Sequence, residues 1–284
     1  MGIKSEWRKV QDWWRRFTSG PGAAPKKAAE KKSVVVDPST TVPSWPEISK
    51  ASCWEGKNAS VRHMNLLSPR IPDETVKARL DWAVERGCNT VHLFVCNQGD
   101  GEGAGYSIYG SGEPTPGMFD AKIVRKMRER ILWARARKLA VALWLLADDS
   151  SRWNKILLSN PVAYSHDLLA SGVLDWADMV VLGLELDEYA SAGQVQALAA
   201  AVREVWHGKL GTHHTSGKAP FAKHGDVVFW QESPGKSAAQ IATAVSGARK
   251  STGKPVVMFE MERQPARELC KAALAAGAAG VGNW

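Results

Sequence analysis

Cysteine is scarce in this chain, and the little there is carries no metal-binding spacing. Cys53, Cys88, Cys96 and Cys270 include no CxxC pair, which excludes zinc-ribbon and thioredoxin-like chemistry and makes four free thiols the expectation. No apolar run reaches the roughly 18 residues that a membrane-crossing helix needs. The first residues are charged where a secretory leader would be apolar. The chain begins Met1-Gly2, but Glu6 stands where N-myristoylation requires serine or threonine. There is no GxGxxG, so the glycine-rich stretch Gly99–Gly112 is not a dinucleotide site. There is no HxH either, which counts against a metal-dependent hydrolase drawing on His63, His92, His213, His214 and Asp148. No metal and no cofactor is expected, and the location of the protein is left unassigned.

Net charge is also sparse over most of the length. Of 284 residues, 37 are Lys or Arg and 29 are Asp or Glu, a balance of +8. Residues 1–32 hold nine basic and three acidic residues and so account for +6, leaving +2 for residues 33–284. The folded part is close to neutral, and nucleic acid is not an expected partner. A hydrophobic fraction of 44% and a mean hydropathy of -0.25 fit a globular chain.

What is abundant begins at the N-terminus. Ile3, Trp7, Val10, Trp14 and Phe17 recur at helical spacing among Lys4, Arg8, Lys9, Arg15 and Arg16, so residues 1–17 read as a basic amphipathic helix. Residues 18–45, rich in Gly, Pro, Ala, Lys and Ser, read as a flexible linker. The helix is expected to dock on a protein partner. A folded domain then runs over residues 46–284.

Within that domain, short apolar runs alternate with amphipathic stretches, the pattern of βα units and a parallel sheet. Eight strands are expected, at Val61–Leu66, Thr90–Val95, Ala140–Leu146, Met179–Leu186, Lys209–Thr212, Asp226–Trp230, Pro255–Met261 and Ala278–Gly282. Helical stretches lie at Asp73–Arg86, Ala121–Arg137, Gly193–Trp206, Ala238–Lys250 and Pro265–Ala276. Eight units in this length predict an α/β fold of the (β/α)8 TIM-barrel type, with a doubly wound sheet as the alternative. No outer helix is expected after the eighth strand within these 284 residues.

Polar residues gather at the C-terminal ends of these strands, where such barrels place their chemistry. The ends carry Asn65, His92, Trp144, Asp187 and Glu188, His213 and His214, Trp230, Glu260, and Trp284. Thirteen tryptophans are many for this length, and an indole suits a protein core as well as a sugar face. The loop after the second strand is expected to offer Tyr106 and Tyr109 to a sugar. Glycoside cleavage needs two carboxylic groups, one to protonate the leaving oxygen and one to attack or to activate water. Strands four and seven of a closed barrel face each other, and both end in glutamates.

At these residues the chain resembles the cellulase-like family 5 glycoside hydrolases and their clan A relatives. Val61-Arg62-His63-Met64-Asn65-Leu66 is similar to the family's first strand and Gly87-Cys88-Asn89-Thr90-Val91-His92 to its second. Glu185-Leu186-Asp187-Glu188-Tyr189 resembles the strand-four motif that supplies the acid/base, and Pro255-Val256-Val257-Met258-Phe259-Glu260 the strand-seven motif that supplies the nucleophile. The resemblance implies a retaining hydrolase of polysaccharide or oligosaccharide with Glu188 as acid/base and Glu260 as nucleophile. By their places at the strand ends, Asn65, His92, Trp144, Asp187, His213, His214, Trp230 and Trp284 are the expected substrate-binding residues, and His213 or His214 and Trp284 fall where the family often has a substrate-contacting histidine and a stacking tryptophan. The family's strand-two arginine is replaced by His92, and the asparagine and proline around the acid/base by Asp187 and Tyr189. Glu185 and Glu262 are the rival carboxylates. The alternative function is a non-catalytic barrel that binds glycans or serves a larger assembly such as a virus particle.

Overall fold

The computed structural model describes residues 59–62, 64–99, 101–147, 151–215, 218–260 and 267–283, with the backbone alone at residues 59–62, 151, 260, 267 and 283. Eight strands form the expected barrel. They are β1 (Ala59–Arg62), β2 (Cys88–Phe94), β3 (Ala140–Trp144), β4 (Met179–Val181), β5 (Lys209–His214), β6 (Val227–Gln231), β7 (Val256–Glu260) and β8 (Gly280–Asn283). Each pairs in parallel with its neighbours, and β8 returns to β1, so the sheet is closed. The doubly wound alternative therefore falls. The fourth strand is shorter than expected: it stops at Val181, and residues 186–189 are helical.

Around the barrel lie α1 (Asp73–Glu85), α2 (Ala121–Ala136), α3 (Ser151–Ser159), α4 (Pro161–Ser171), the single turn α5 (Leu186–Tyr189), α6 (Ala192–Val205), α7 (Ala238–Thr252) and α8 (Arg267–Ala275). Their ends follow from local chemistry. Asp120 caps α2 by accepting from the backbone N–H groups of Lys122 and Ile123. Ser191 with Gln194 and Ser237 with Gln240 make capping boxes on α6 and α7. The pair α3 and α4 lay outside the sequence expectation, although Pro161 opens α4 and Gly172 closes it in the left-handed region, the usual asymmetry of a helix.

The sheet divides its side chains between two layers. On β6 and β7, Val228, Trp230, Val256 and Met258 point outward and pack with Ile241, Val245, Leu269 and Cys270 of α7 and α8. The intervening Phe229 and Phe259 point inward and meet at 5.5 Å between ring centroids. This two-residue alternation decides which strand-end groups can reach the barrel mouth.

Cys88 and Cys96 are free and buried, and burial pushes the Cys88 thiol up to about 12. Cys270 is disulfide-bonded, which corrects the expectation of four free thiols. No helix among the described residues is long and apolar enough to cross a membrane. The N-terminal helix at 1–17, the linker at 18–45, His63, Asp148, Glu262 and Trp284 lie outside the described residues, as do the side chains of Arg62 and Glu260.

Candidate active site at the barrel mouth

Five rings from five strands make the floor beneath the mouth. His92 of β2 lies edge-on to Trp144 of β3 at 5.7 Å and to Phe259 of β7 at 4.8 Å. Trp144 stacks on Phe259 at 4.5 Å and meets His213 of β5 at 5.5 Å. Phe229 of β6 closes the cluster, 5.1 Å from Trp144. His92, Trp144 and His213 are all fully buried.

Two hydrogen bonds fix the chemical state of the two histidines. An indole nitrogen can only donate, and Trp144 Nε1 lies 2.9 Å from His92 Nδ1. His92 therefore accepts at Nδ1, is neutral, and carries its proton on Nε2. The backbone N–H of Glu185 donates to His213 Nδ1 at 2.9 Å, so His213 is held in the same tautomer. Neither ring carries charge in this arrangement. The arginine charge that the sequence resemblance leads one to expect on strand two has no equivalent in His92.

The segment after β4 is shaped around Glu185. Leu182 N–H donates to Gly211 O at 3.1 Å and Leu184 N–H to Leu146 O at 2.9 Å, so the chain stays bonded to both neighbouring strands past Val181. Gly183 is needed there, because a Cβ would lie 2.9 Å from the Leu146 side chain and 3.0 Å from Leu186. Glu185 then turns the chain with φ 49° and ψ 38°, the left-handed region, and caps α5. A non-glycine residue there stores roughly 1–3 kcal/mol of strain and persists only where its surroundings over-determine it. Here the turn is flanked by the bond from the Glu185 N–H to His213. Glu185 is half-buried, follows β4, and is joined to the aromatic floor through its backbone N–H. Across the barrel, β7 ends at Glu260, in register with Gln231 after a bulge in β6.

The rim is tied down by polar contacts. Asn97 Nδ2 donates to Asn65 Oδ1 at 2.8 Å, joining the loops after β1 and β2. Gly99 N–H donates to Asn97 Oδ1 at 3.1 Å, and Trp153 N–H donates to Gln98 Oε1 at 3.1 Å.

Several expected site residues are placed elsewhere. Trp230 faces away from the mouth, packs in the layer under α7 and α8, and donates through Nε1 to Glu232 at 2.8 Å. Alternation along β5 turns His214 outward as well. It lies 6.0 Å from Phe221 and binds Thr212 Oγ1 at 3.1 Å. Burial pushes the His214 ring down to about 4, against a smaller upward pull from Asp187. Trp144 points inward, but its ring is covered by His92, Phe229 and Phe259 and offers no face to a sugar. Asp187 is a brace: its carboxylate accepts from Thr215 Oγ1 at 2.9 Å and Thr215 N–H at 3.2 Å, tying α5 to the end of β5. Glu188 is exposed on α5, three residues past the turn. Tyr106 is buried and donates to Phe94 O at 2.9 Å, and Tyr109 donates to Asp167 Oδ2 at 2.8 Å. Both tyrosines anchor the glycine-rich loop and are not presented to a ligand.

Among the described residues, no cluster of three His, Cys, Asp or Glu side chains could hold a metal ion. A cavity of about 520 Å³ opens at the opposite, N-terminal end of the barrel, between Arg249, Lys254 and Gly277. Lys254 Nζ there donates to Ala222 O at 2.5 Å and also to Gly225 O. Its cations serve carbonyl groups around the strand starts, away from the mouth.

No protein-family model and no curated protein matches the sequence. Solved structures do match the fold. A family 5 glycoside hydrolase of Bacteroides vulgatus superposes with a TM-score of 0.60 at 17% identity, over 79% of this chain and 57% of that one. An exo-β-1,4-mannosidase of an Opitutaceae bacterium gives 0.60 at 16% identity, over 80% and 51%. The family 113 β-mannanase of Alicyclobacillus acidocaldarius gives 0.52 at 14% identity, over 84% and 88%. This chain has the barrel fold of the glycoside hydrolases. It spans about half the length of the first structures it matches.

Proposed function

We propose that the chain is a glycoside hydrolase that cleaves a polysaccharide or oligosaccharide by the retaining two-carboxylate mechanism, with Glu260 as nucleophile and Glu185 as acid/base. The observation that carries this reading is the left-handed turn at Glu185, a half-buried glutamate that follows β4, with the strand that ends in Glu260 on the other side of the closed barrel. Glu185 is preferred to Glu188 because α5 carries the latter onto an exposed face. In the first step Glu185 gives its proton to the glycosidic oxygen as the bond to the anomeric carbon breaks and Glu260 forms the glycosyl ester. In the second, Glu185 takes a proton from water, which attacks the anomeric carbon and releases Glu260. The matched structures include an exo-β-1,4-mannosidase and a family 113 β-1,4-mannanase, so β-1,4-manno-oligosaccharides are the first substrates to offer, followed by mixed polysaccharides.

The test compares three variants by release of reducing sugar. Glu260→Gln should abolish turnover and leave glycan binding intact. Glu185→Gln should slow natural glycosides far more than activated aryl glycosides, which need little acid assistance. Glu188→Gln should match the unmodified protein. Loss of activity in Glu188→Gln alone would return the acid/base role to that residue. Retention of the anomeric configuration, followed by NMR on fresh product, would support the ester intermediate; inversion would refute it. One observation favours the other reading, a non-catalytic glycan-binding or structural barrel: His92 is neutral where the related enzymes have arginine. Glycan binding without turnover on any of these substrates would establish that alternative.

A further inference from the structure

His213 occupies a strand-end position that the family resemblance assigns to substrate contact, yet its described bond runs to the protein backbone. Its Nδ1 accepts the N–H of Glu185 at 2.9 Å. Among the described residues of the mouth, that N–H belongs to the one with a positive φ and a side chain. The ring is fully buried, edge-on to Trp144 and Phe259 at 5.5 Å each, so it cannot swing away without opening the floor. Packing fixes where Nδ1 sits, and Nδ1 in turn fixes the peptide plane that enters the turn. The direction in which the Glu185 side chain leaves the backbone depends on that plane. Asp187 holds the other side of the same turn through Thr215, at the end of the strand that carries His213.

We propose that His213 is a positioning residue: through the acceptor at Nδ1 it holds Glu185 in the left-handed turn and so aims the acid/base carboxyl, without itself touching substrate. The inference rests on the assignment of Glu185 given above. It makes a specific chemical demand, a hydrogen-bond acceptor at the Nδ1 position and nowhere else on the ring. Asparagine places a carbonyl oxygen close to where Nδ1 lies. Glutamine carries its oxygen further out, near Nε2, and leucine has no acceptor.

The experiment measures kcat and KM on the substrate identified above for His213→Asn, His213→Gln and His213→Leu, with thermal unfolding to confirm that each is folded. His213→Asn should keep kcat within about threefold. His213→Gln and His213→Leu should lose about 30- to 100-fold in kcat with KM within about twofold, the scale expected when a reacting group is misplaced by about an ångström. A direct readout independent of turnover is the 15N–15N coupling across the Glu185 N–H to Nδ1 bond in labelled protein, expected in the unmodified chain and absent in the leucine variant. Equal activity in the asparagine, glutamine and leucine variants, or absence of the coupling in the unmodified chain, would overturn the positioning role. A rise in KM at constant kcat would also overturn it, since it would show substrate contact. If Glu185→Gln is fully active while the coupling is present, the assignment of Glu185 fails and the hydrogen bond stands as structure alone.

Discussion

Replacing Arg130 by methionine should destabilise the barrel more than any other single change to a charged residue discussed here. Arg130 projects from α2 and is 1% exposed. Its guanidinium donates to Leu66 O at 2.9 Å, to Ile71 O at 2.6 Å and to Ser68 O, and it pairs with Asp73 Oδ1 at 2.9 Å. These acceptors span the whole connection from β1 to α1. Methionine keeps the apolar stem and removes every donor. Three carbonyl groups then lose a partner, at about 1–3 kcal/mol for each that stays out of reach of water. The cation no longer has to be desolvated, which offsets part of that loss. Asp73 keeps Lys126, so no second charge is stranded. The net expectation is a loss of about 2–4 kcal/mol, what remains of three unpaired carbonyls once the relief of desolvation is set against them. Urea unfolding should show the midpoint falling with an unchanged m-value. The pH dependence gives a second handle. Hydrogen bonds from Lys126 and Arg130 hold the Asp73 carboxyl below its ordinary 3.8. A depressed carboxyl contributes stability that is present above the unfolded value and lost as pH falls through the folded one. That acid loss should shrink in Arg130→Met and persist in part through Lys126. A destabilisation below about 1 kcal/mol would show that water satisfies those carbonyls equally well, and the account of the loop as clamped from α2 would be wrong.

Two further changes test the inner and outer faces of the barrel. His214 is depressed from 6.5 to about 4 by burial, so the unfolded chain binds the extra proton first. Stability is complete above about pH 6.5 and falls as pH drops towards 4, by up to about 3 kcal/mol at 1.36 kcal/mol per unit. His214→Gln should flatten the fall in urea midpoint between pH 7 and pH 4.5, and an unchanged slope would assign the acid sensitivity elsewhere. Trp144→Phe removes the donor to His92 Nδ1 and part of a fully buried ring, and should cost about 2–4 kcal/mol by the same denaturation assay. A loss near zero would show that the bond between these rings does not hold the floor.

The barrel was legible because its signals are periodic and repeated. Each strand is a short apolar run, and Ser191, Ser237 and Asp120 announce helices by side chains that cap them. The helices α3 and α4 were missed because they follow one another between β3 and β4, where the simple alternation provides for one. Strand-end chemistry was harder, because a polar residue near a strand end has even odds of facing outward. His213 and His214 are adjacent, so one of them had to leave the mouth, and nothing in the pair says which. Phe229 and Trp230 pose the same choice. The indole was the more attractive sugar platform, but the phenyl ring points inward. A one-residue error in register reverses every such assignment.

Sequence pattern offered Glu185 only as a rival to Glu188 and could not decide between them, and the reason is physical. Left-handed backbone is announced by glycine or asparagine, whose intrinsic cost there is small. A glutamate adopts it only when tertiary contacts compensate, and the compensating atom, His213 Nδ1, lies 28 residues away on the next strand. Sequence similarity favoured Glu188 because an acidic pair, Asp187-Glu188, stands where related strands have an asparagine and a glutamate. In the structure the first of that pair is consumed in bracing α5 to Thr215, and the second is left exposed. Strain kept at one residue, when an ordinary turn of the same length was available, requires that something hold it there. The barrel supplies a fully buried histidine whose Nδ1 accepts the N–H of Glu185, and we assign that bond the task of holding the turn.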